Sequence, residues 1–204
     1  MLWHKAQGAG GAGGDITGAF IQLAEGSTVP LPATLQAGDL LIAHLGHYAF
    51  ANYLNSAFTH VVSHASGSWY FPYYESSIIG YRIATGSEGT SIAVGNNNAA
   101  LSIYRFSSPV TSVTVAFTAT QSGASNRSID ISTYGKPNIV ICSVGSNGDP
   151  SLTMTASNYA YRSGYLDTAA SITNVDSATT TSVISGNNVN FNEACSYAVL
   201  VPNF

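Results

Sequence analysis

Short runs of alternating apolar and polar residues, broken by turns rich in glycine, asparagine and serine, set the reading of this chain. In SSIIGYRIA (76–84), Ile79, Tyr81 and Ile83 fall on one side and Ile78, Gly80 and Arg82 on the other, the period of two that a β-strand imposes. AALSIYRF (99–106) repeats the pattern, with Leu101 and Ile103 opposing Ser102, Tyr104 and Phe106. DLLIAHLG (39–46) is almost continuously apolar, which predicts a central strand buried on both faces. ITGAFIQLA (16–24) alternates weakly, and TSIAVG (90–95) reads as a short strand. STVPLPATLQAG (27–38), with two prolines, reads as an extended connection turning at Ala37 and Gly38.

The later part of the chain continues in the same style. SVTVAFT (112–118), RSIDIST (127–133), PNIVICSVG (137–145), SLTMTA (151–156), YAYRSGYL (159–166), TTTSVIS (179–185) and CSYAVLV (195–201) are predicted strands, rich in β-branched and aromatic residues. TGSEG, GNNN, SGAS, GSNGDP and SGNN carry turn chemistry. Turn signals recur about every 8 to 12 residues, the spacing of an antiparallel sandwich or jelly roll. HYAFANYLNSAF (47–58) predicts a long loop with one short helical turn at most. No internal repeat or linker is legible. The expected organisation is a flexible, glycine-rich N-terminal arm over 1–15 and a single all-β, jelly-roll-like antiparallel β-sandwich over 16–204.

Composition narrows the function. Hydrophobic residues are 45% of the chain and charged residues only 8%, against about 25% in an ordinary globular domain. A surface so poor in charge repels its neighbours weakly, which suits a protein that packs against other copies of itself. The six basic residues, Lys5, Arg82, Arg105, Arg127, Lys136 and Arg162, are scattered singly, so no stripe is present to meet phosphates and nucleic acid is not an expected partner. Apolar runs such as LLIA (40–43) and IVIC (139–142) are far below the roughly 20 residues of a membrane helix. MLWHKAQGAGGAGGD lacks the apolar core of a secretory signal, so synthesis in a host cytoplasm and release by lysis are expected. Cys142 and Cys195 lie in apolar strand-like runs and read as buried thiols; a bridge would need their strands to be neighbours.

The chemistry-bearing residues are few. His44 and His47 stand three apart on a strand and therefore diverge, whereas His60 and His64 share parity. With no cysteine or acidic cluster beside them, ordinary polar histidines are the reading, and a metal shared between subunits is the alternative. No metal and no cofactor are expected. Serines are frequent, but no strand–elbow–helix motif presents one as a nucleophile. Acidic residues such as Glu88 and Asp149 sit in turn contexts, and no carboxylate pair stands out for a glycosidase.

The most conspicuous stretch is SWYFPYYESS (68–77), with Trp69, Tyr70, Phe71, Tyr73 and Tyr74 within six positions. Pro72 argues against one regular interior strand. If the register of 78–83 continues, Trp69, Phe71 and Tyr73 turn inward and Tyr70 and Tyr74 outward. Exposed tyrosines offer large contact area at low entropy cost. Trp3, Tyr70 and Tyr74 are therefore the expected subunit-interface residues. The competing reading is a glycan platform on which Trp69, Tyr70, Tyr73 and Tyr74 stack against sugar rings.

P-A-x-L-Q-A-G-D-L-L-I-A (32–43), I-I-G-Y-R-I-A-T-G-S-E-G (78–89), TSIAV and ALSIYRFS (100–107) together resemble a pattern found in tailed-bacteriophage virion proteins. The resemblance covers about residues 30 to 107 and brings no catalytic residues with it. It implies a β-sandwich serving in a virion as tail fibre, spike, tail-associated protein or capsid decoration. The implied partners are other virion proteins and other copies of the chain, a trimer being the expected oligomer. The non-enzymatic structural role is the leading reading. A glycan-binding module for a host receptor is the alternative, and a hydrolase of surface polysaccharide is a third.

Overall fold

The computed structural model describes residues 19–47, 53–66, 75–95, 99–122, 126–134, 137–145, 149–155, 161–163, 169–173, 177–185 and 194–204. All regular structure among them is β, and every strand pairing is antiparallel. The fold is the antiparallel sandwich that the sequence predicts. The segment expected as an arm lies outside the described residues.

The first seven strands are β1 (Ala19–Glu25), β2 (Thr28–Pro30), β3 (Leu40–His47), β4 (Thr59–Ser66), β5 (Glu75–Ile83), β6 (Ser91–Ala93) and β7 (Ala99–Arg105). They form a sheet in the order β1-β7-β3-β5-β4, with the pair β2-β6 laid over one of its faces. The next eight are β8 (Ser112–Ser122), β9 (Asn126–Asp130), β10 (Ile139–Gly145), β11 (Asp149–Thr155), β12 (Tyr161–Ser163), β13 (Ala169–Thr173), β14 (Ser177–Ser185) and β15 (Ala194–Asn203). Their main sheet runs β8-β15-β10-β13-β12, and β11-β14-β9 forms a separate one.

These two lists describe the same winding twice. In each, the first strand pairs with the last, the second with the second-to-last and the third with the third-to-last, the nested connectivity of a jelly roll. Register repeats as well. Leu40 and Leu41 pair with Tyr104 and Ile103, as Ile139 and Val140 pair with Leu200 and Val199. The β1–β7 ladder slips between Phe20 and Gln22, opposite Tyr104 and Ile103. The β8–β15 ladder slips between Val115 and Phe117, opposite Leu200 and Val199. Both windings thus carry a β-bulge at one shared position, a feature that is kept by design and rarely arises by chance. The residues conceal the repeat: LLIAHLG and IVICSVG are identical only at Ile42/Ile141 and Gly46/Gly145.

The two main sheets stack face to face, β3 over β10, β5 over β10 and β15, and β4 over β15 and β8. Their inner faces share one core in which Leu40, Ile42, Ile79, Tyr104 and Phe106 meet Ile139, Ile141, Ala198 and Leu200. On the outer face of the first sheet, Leu41, Ala43, Leu45, Leu101 and Ile103 pack with Val29, Ile92 and Phe58. On the outer face of the second, Val140, Cys142, Val144, Tyr197 and Val199 pack with Ile129 and Ile131 of β9 and the residues after it. Four layers result, and the central strands are buried on both faces.

Three strands escape the sequence reading. β2 lies in the stretch read as a connection, and its three residues pair with β6. β4 (THVVSHAS) is polar, and a bulge between His60 and Val62 breaks its alternation; β13 (AASIT) is too short and small-residued to show a period. The cysteine strands β10 and β15 are neighbours, but Cys142 faces Tyr197 and Cys195 faces Val144. The two positions are therefore diagonal, beyond the usual reach of a bridge, and both remain buried thiols.

Gly38 is where the strand connections cross. Its N–H donates to Ala84 O at 2.8 Å, and its carbonyl accepts from Val110 N at 3.1 Å, on the link between the windings. Its φ is +86°, and an added Cβ would lie 2.4 Å from Pro109 Cβ. Gly89 has a similar φ of +80° but open space around it. Gly89→Ala should cost about 1 kcal/mol, the backbone penalty alone. Gly38→Ala should cost clearly more, about 3 kcal/mol, because the crossing must also shift. Urea unfolding of both variants measures the difference, and equal costs would refute the crossing as a constraint.

Candidate functional site

Charge concentrates at the end of the sandwich where β3 and β10 begin and β5, β7 and β15 finish. Asp39, just before β3, is buried. Its Oδ2 accepts from Gln36 N at 2.8 Å and from Arg105 Nη2 at 2.6 Å, and its Oδ1 accepts from Arg105 Nε at 2.8 Å. Arg105 Nη2 also donates to Thr34 O. A forked guanidinium on a carboxylate fixes orientation as well as charge, and it ties the end of β7 to the turn that opens β3. Arg82 Nη2 donates to Glu88 Oε1 at 3.2 Å. The same carboxylate accepts from Thr85 N at 2.6 Å, Thr85 Oγ1 at 2.9 Å and Gly86 N at 2.9 Å. Partial burial pushes the Glu88 carboxyl up, but these donors outweigh it and hold the group below the usual range. The residues of the QAGD, YRIATGSEG and YRF pattern are therefore locks on turns.

The opposite end, where β3 and β10 finish and β5, β7 and β15 begin, is polar inside. Five of the buried polar residues, His44, Ser77, Ser102, Ser143 and Ser196, lie between the two main sheets or on their facing sides. Ser77 and Ser196 hydroxyls bond each other across the sheets at 2.7 Å, and Ser196 Oγ also donates to Ser77 O at 3.2 Å. Ser143 Oγ of β10 donates to Leu45 O of β3 at 2.9 Å. His44 Nε2 is 3.3 Å from Ser102 Oγ, while its Nδ1 has no hydrogen-bond partner of ordinary geometry. Burial lowers the His44 pKa to about 4, outweighing the Cys142 backbone, which favours the charged ring. A base beside a hydroxyl is a chemically capable pair, but both are buried. In this arrangement the pair links β3 to β7 within the first sheet.

The remaining histidines do not come together. Sequence parity puts His60 and His64 on one face, but the bulge after His60 reverses it: His60 pairs with Gly80, whereas His64 pairs with Ser77. His64 Nε2 lies 2.8 Å from Ser122 Oγ, bridging the edge strands β4 and β8, and partial burial lowers its pKa. Among the described residues no group of three metal-ligating side chains is present. The expected interface and stacking residues Trp3, Trp69, Tyr70, Tyr73 and Tyr74 lie outside the described residues. The strand ends flanking the aromatic run, Ser66 of β4 and Glu75 of β5, stand at the end of the polar seam. The seam serines were not singled out from sequence. Their signal was present, since Ser102, Ser143 and Ser196 each interrupt an apolar strand.

Compared with protein-family models, with curated proteins and with solved structures, the chain matches none.

A buried hydroxyl left without its partner costs about 1–2 kcal/mol, whereas removing both partners is nearly neutral. Ser77→Ala and Ser196→Ala should each destabilise by about that amount, and the double variant by clearly less than their sum. Additive losses in urea unfolding would show that the two hydroxyls do not act as a pair.

Proposed function

We propose that this chain is a non-enzymatic structural protein of a tailed-bacteriophage virion, a homo-oligomeric building block of a tail fibre, a tail-associated assembly or a capsid decoration. The observation that carries the reading is how little charge is left for the outside. Of six basic and ten acidic residues, two of each are tied up in the turn locks. A third basic residue, Arg127, lies over the rings of Phe117 and Tyr197 at 5.8 and 5.2 Å. An outer surface of serine, threonine and asparagine loses little on dehydration and meets its own copies without repulsion. The resemblance of 30–107 to virion proteins supports the same reading, because the shared residues are those that set the turns of this fold.

Interface contacts fall to Trp3, Tyr70 and Tyr74. Analytical ultracentrifugation of the purified chain should show a trimer. Tyr70→Ser with Tyr74→Ser should dissociate it while leaving the β circular-dichroism spectrum unchanged. A chain that sediments as a monomer at every concentration defeats the oligomeric reading, and a double variant that stays assembled removes these tyrosines from it. The aromatic run at 69–74 also favours a second reading, a host-glycan platform. A glycan array separates the two, since a purely structural block gives no signal.

A further inference from the structure

The joint between the two windings has a titratable group at its centre. His44 sits on β3, which stacks over β10, and both its nitrogens are enclosed. The place equivalent to His44 on β10 is Ser143, since each stands four residues after the strand's first residue and opposite its winding's last strand. Ser143 serves the joint as a neutral donor, to Leu45 O. The same place in the first winding holds His44, the one ionisable residue among the buried polar side chains described at this seam.

We propose that this seam is an acid-sensitive joint, in which a proton taken up by the His44 imidazole separates β3 from β10 and loosens that end of the sandwich while the ion-locked end holds.

The surroundings offer an imidazolium the Cys142 backbone as compensation, and burial outweighs it. From β5 the side chains facing it are Ser77 and Ile79, from β7 Ser102, from β10 Ile141 and Ser143, and from β15 Ser196 and Ala198. The five residues of β13, AASIT, include no ionisable group. The Cys142 thiol belongs to the core on the far side of its sheet. On β3 itself, Asp39 lies at the other end, engaged by Arg105. His64 is on the β4 edge, bonded to Ser122. Among the described residues no carboxylate faces His44, and the hydroxyls of Ser77, Ser143 and Ser196 are engaged elsewhere. A protonated ring would be a buried charge with no ionic partner among the described residues, and admitting water between the sheets is the relief open to it.

The sign follows from where the proton is held more tightly. The unfolded chain binds it with the ordinary pKa of 6.5 and the folded chain only near 4. This contribution to stability is complete above about pH 6.5 and is lost progressively as pH falls through 4. Between pH 7.5 and 5 the folded-to-unfolded ratio should fall about 30-fold on account of this one group.

The test compares the full chain with His44→Gln and His44→Ser, the second placing at 44 the residue of the equivalent position. Urea unfolding at pH 7.5 and 5 should show the 30-fold loss in the parent and not in either variant. Hydrogen exchange, corrected for the intrinsic pH effect, should rise at pH 5 in 43–47 and 142–145 of the parent alone, and not in 36–41. Parallel pH curves for parent and variants overturn the proposal, as does a uniform rise of exchange at both ends of the sandwich. Should neither variant fold, NMR titration of the parent decides. A His44 ring that titrates near 4 as the seam amides broaden supports the joint, and one that titrates near 6.5 overturns it.

Discussion

The central strands of both main sheets are covered on both faces, and the rest of the molecule follows from that constraint. An antiparallel sheet ordinarily keeps one face for water and so alternates along each strand. Here the inner faces meet each other, and the outer faces meet β2-β6 on one side and β9 on the other. A central strand in such a stack has no wet side, so β3, β10 and β15 are apolar almost throughout. Any polar side chain admitted to it must find a partner inside. Ser77, Ser143 and Ser196 do so across the sheets, whereas His44 is satisfied at one nitrogen only.

The same constraint decides what could be read from the residues. Double-sided burial leaves a plain mark, and the run LLIAHLG gave its strand and its environment together. The alternation in 76–84 and 99–106 assigned Ile79 and Tyr104 to one face and Ile78 and Leu101 to the other correctly, yet both faces are core. Alternation records which side chains share a side; it does not record that a second layer lies beyond. Bulges are equally silent. The extra residue in β4 turned His60 away from His64, and nothing in THVVSHAS announces it. The repeated winding was illegible for a related reason. A jelly roll is specified by which strand lies beside which, and many apolar sequences satisfy the same neighbours, so LLIAHLG and IVICSVG can diverge while their pairing persists.

Charge has been spent on geometry at one end of this molecule. Asp39–Arg105 and Arg82–Glu88 each join a strand end to a turn, and Gly38 fits the crossing between them. Pairs of this kind contribute modestly when solvated, but Asp39 is buried, so losing its arginine would strand a carboxylate in the interior. The pattern 32–43, 78–89 and 100–107 encodes a turn, a lock and the strand that receives it. It identifies an architecture, and what that architecture does must come from the surfaces and connections it leaves open.

The second winding shows what the first would be without its locks. Where Arg105 follows Tyr104 on β7, Val201 follows Leu200 on β15, and the corresponding start of β10 offers Asn138 in place of Asp39. The ion pair at the head of the first winding thus has neutral counterparts in the second. At the other end of the same strands the asymmetry runs the same way, with His44 against Ser143. The first winding holds ionisable groups at both ends of its central strand, and the second carries neutral residues at the matching places.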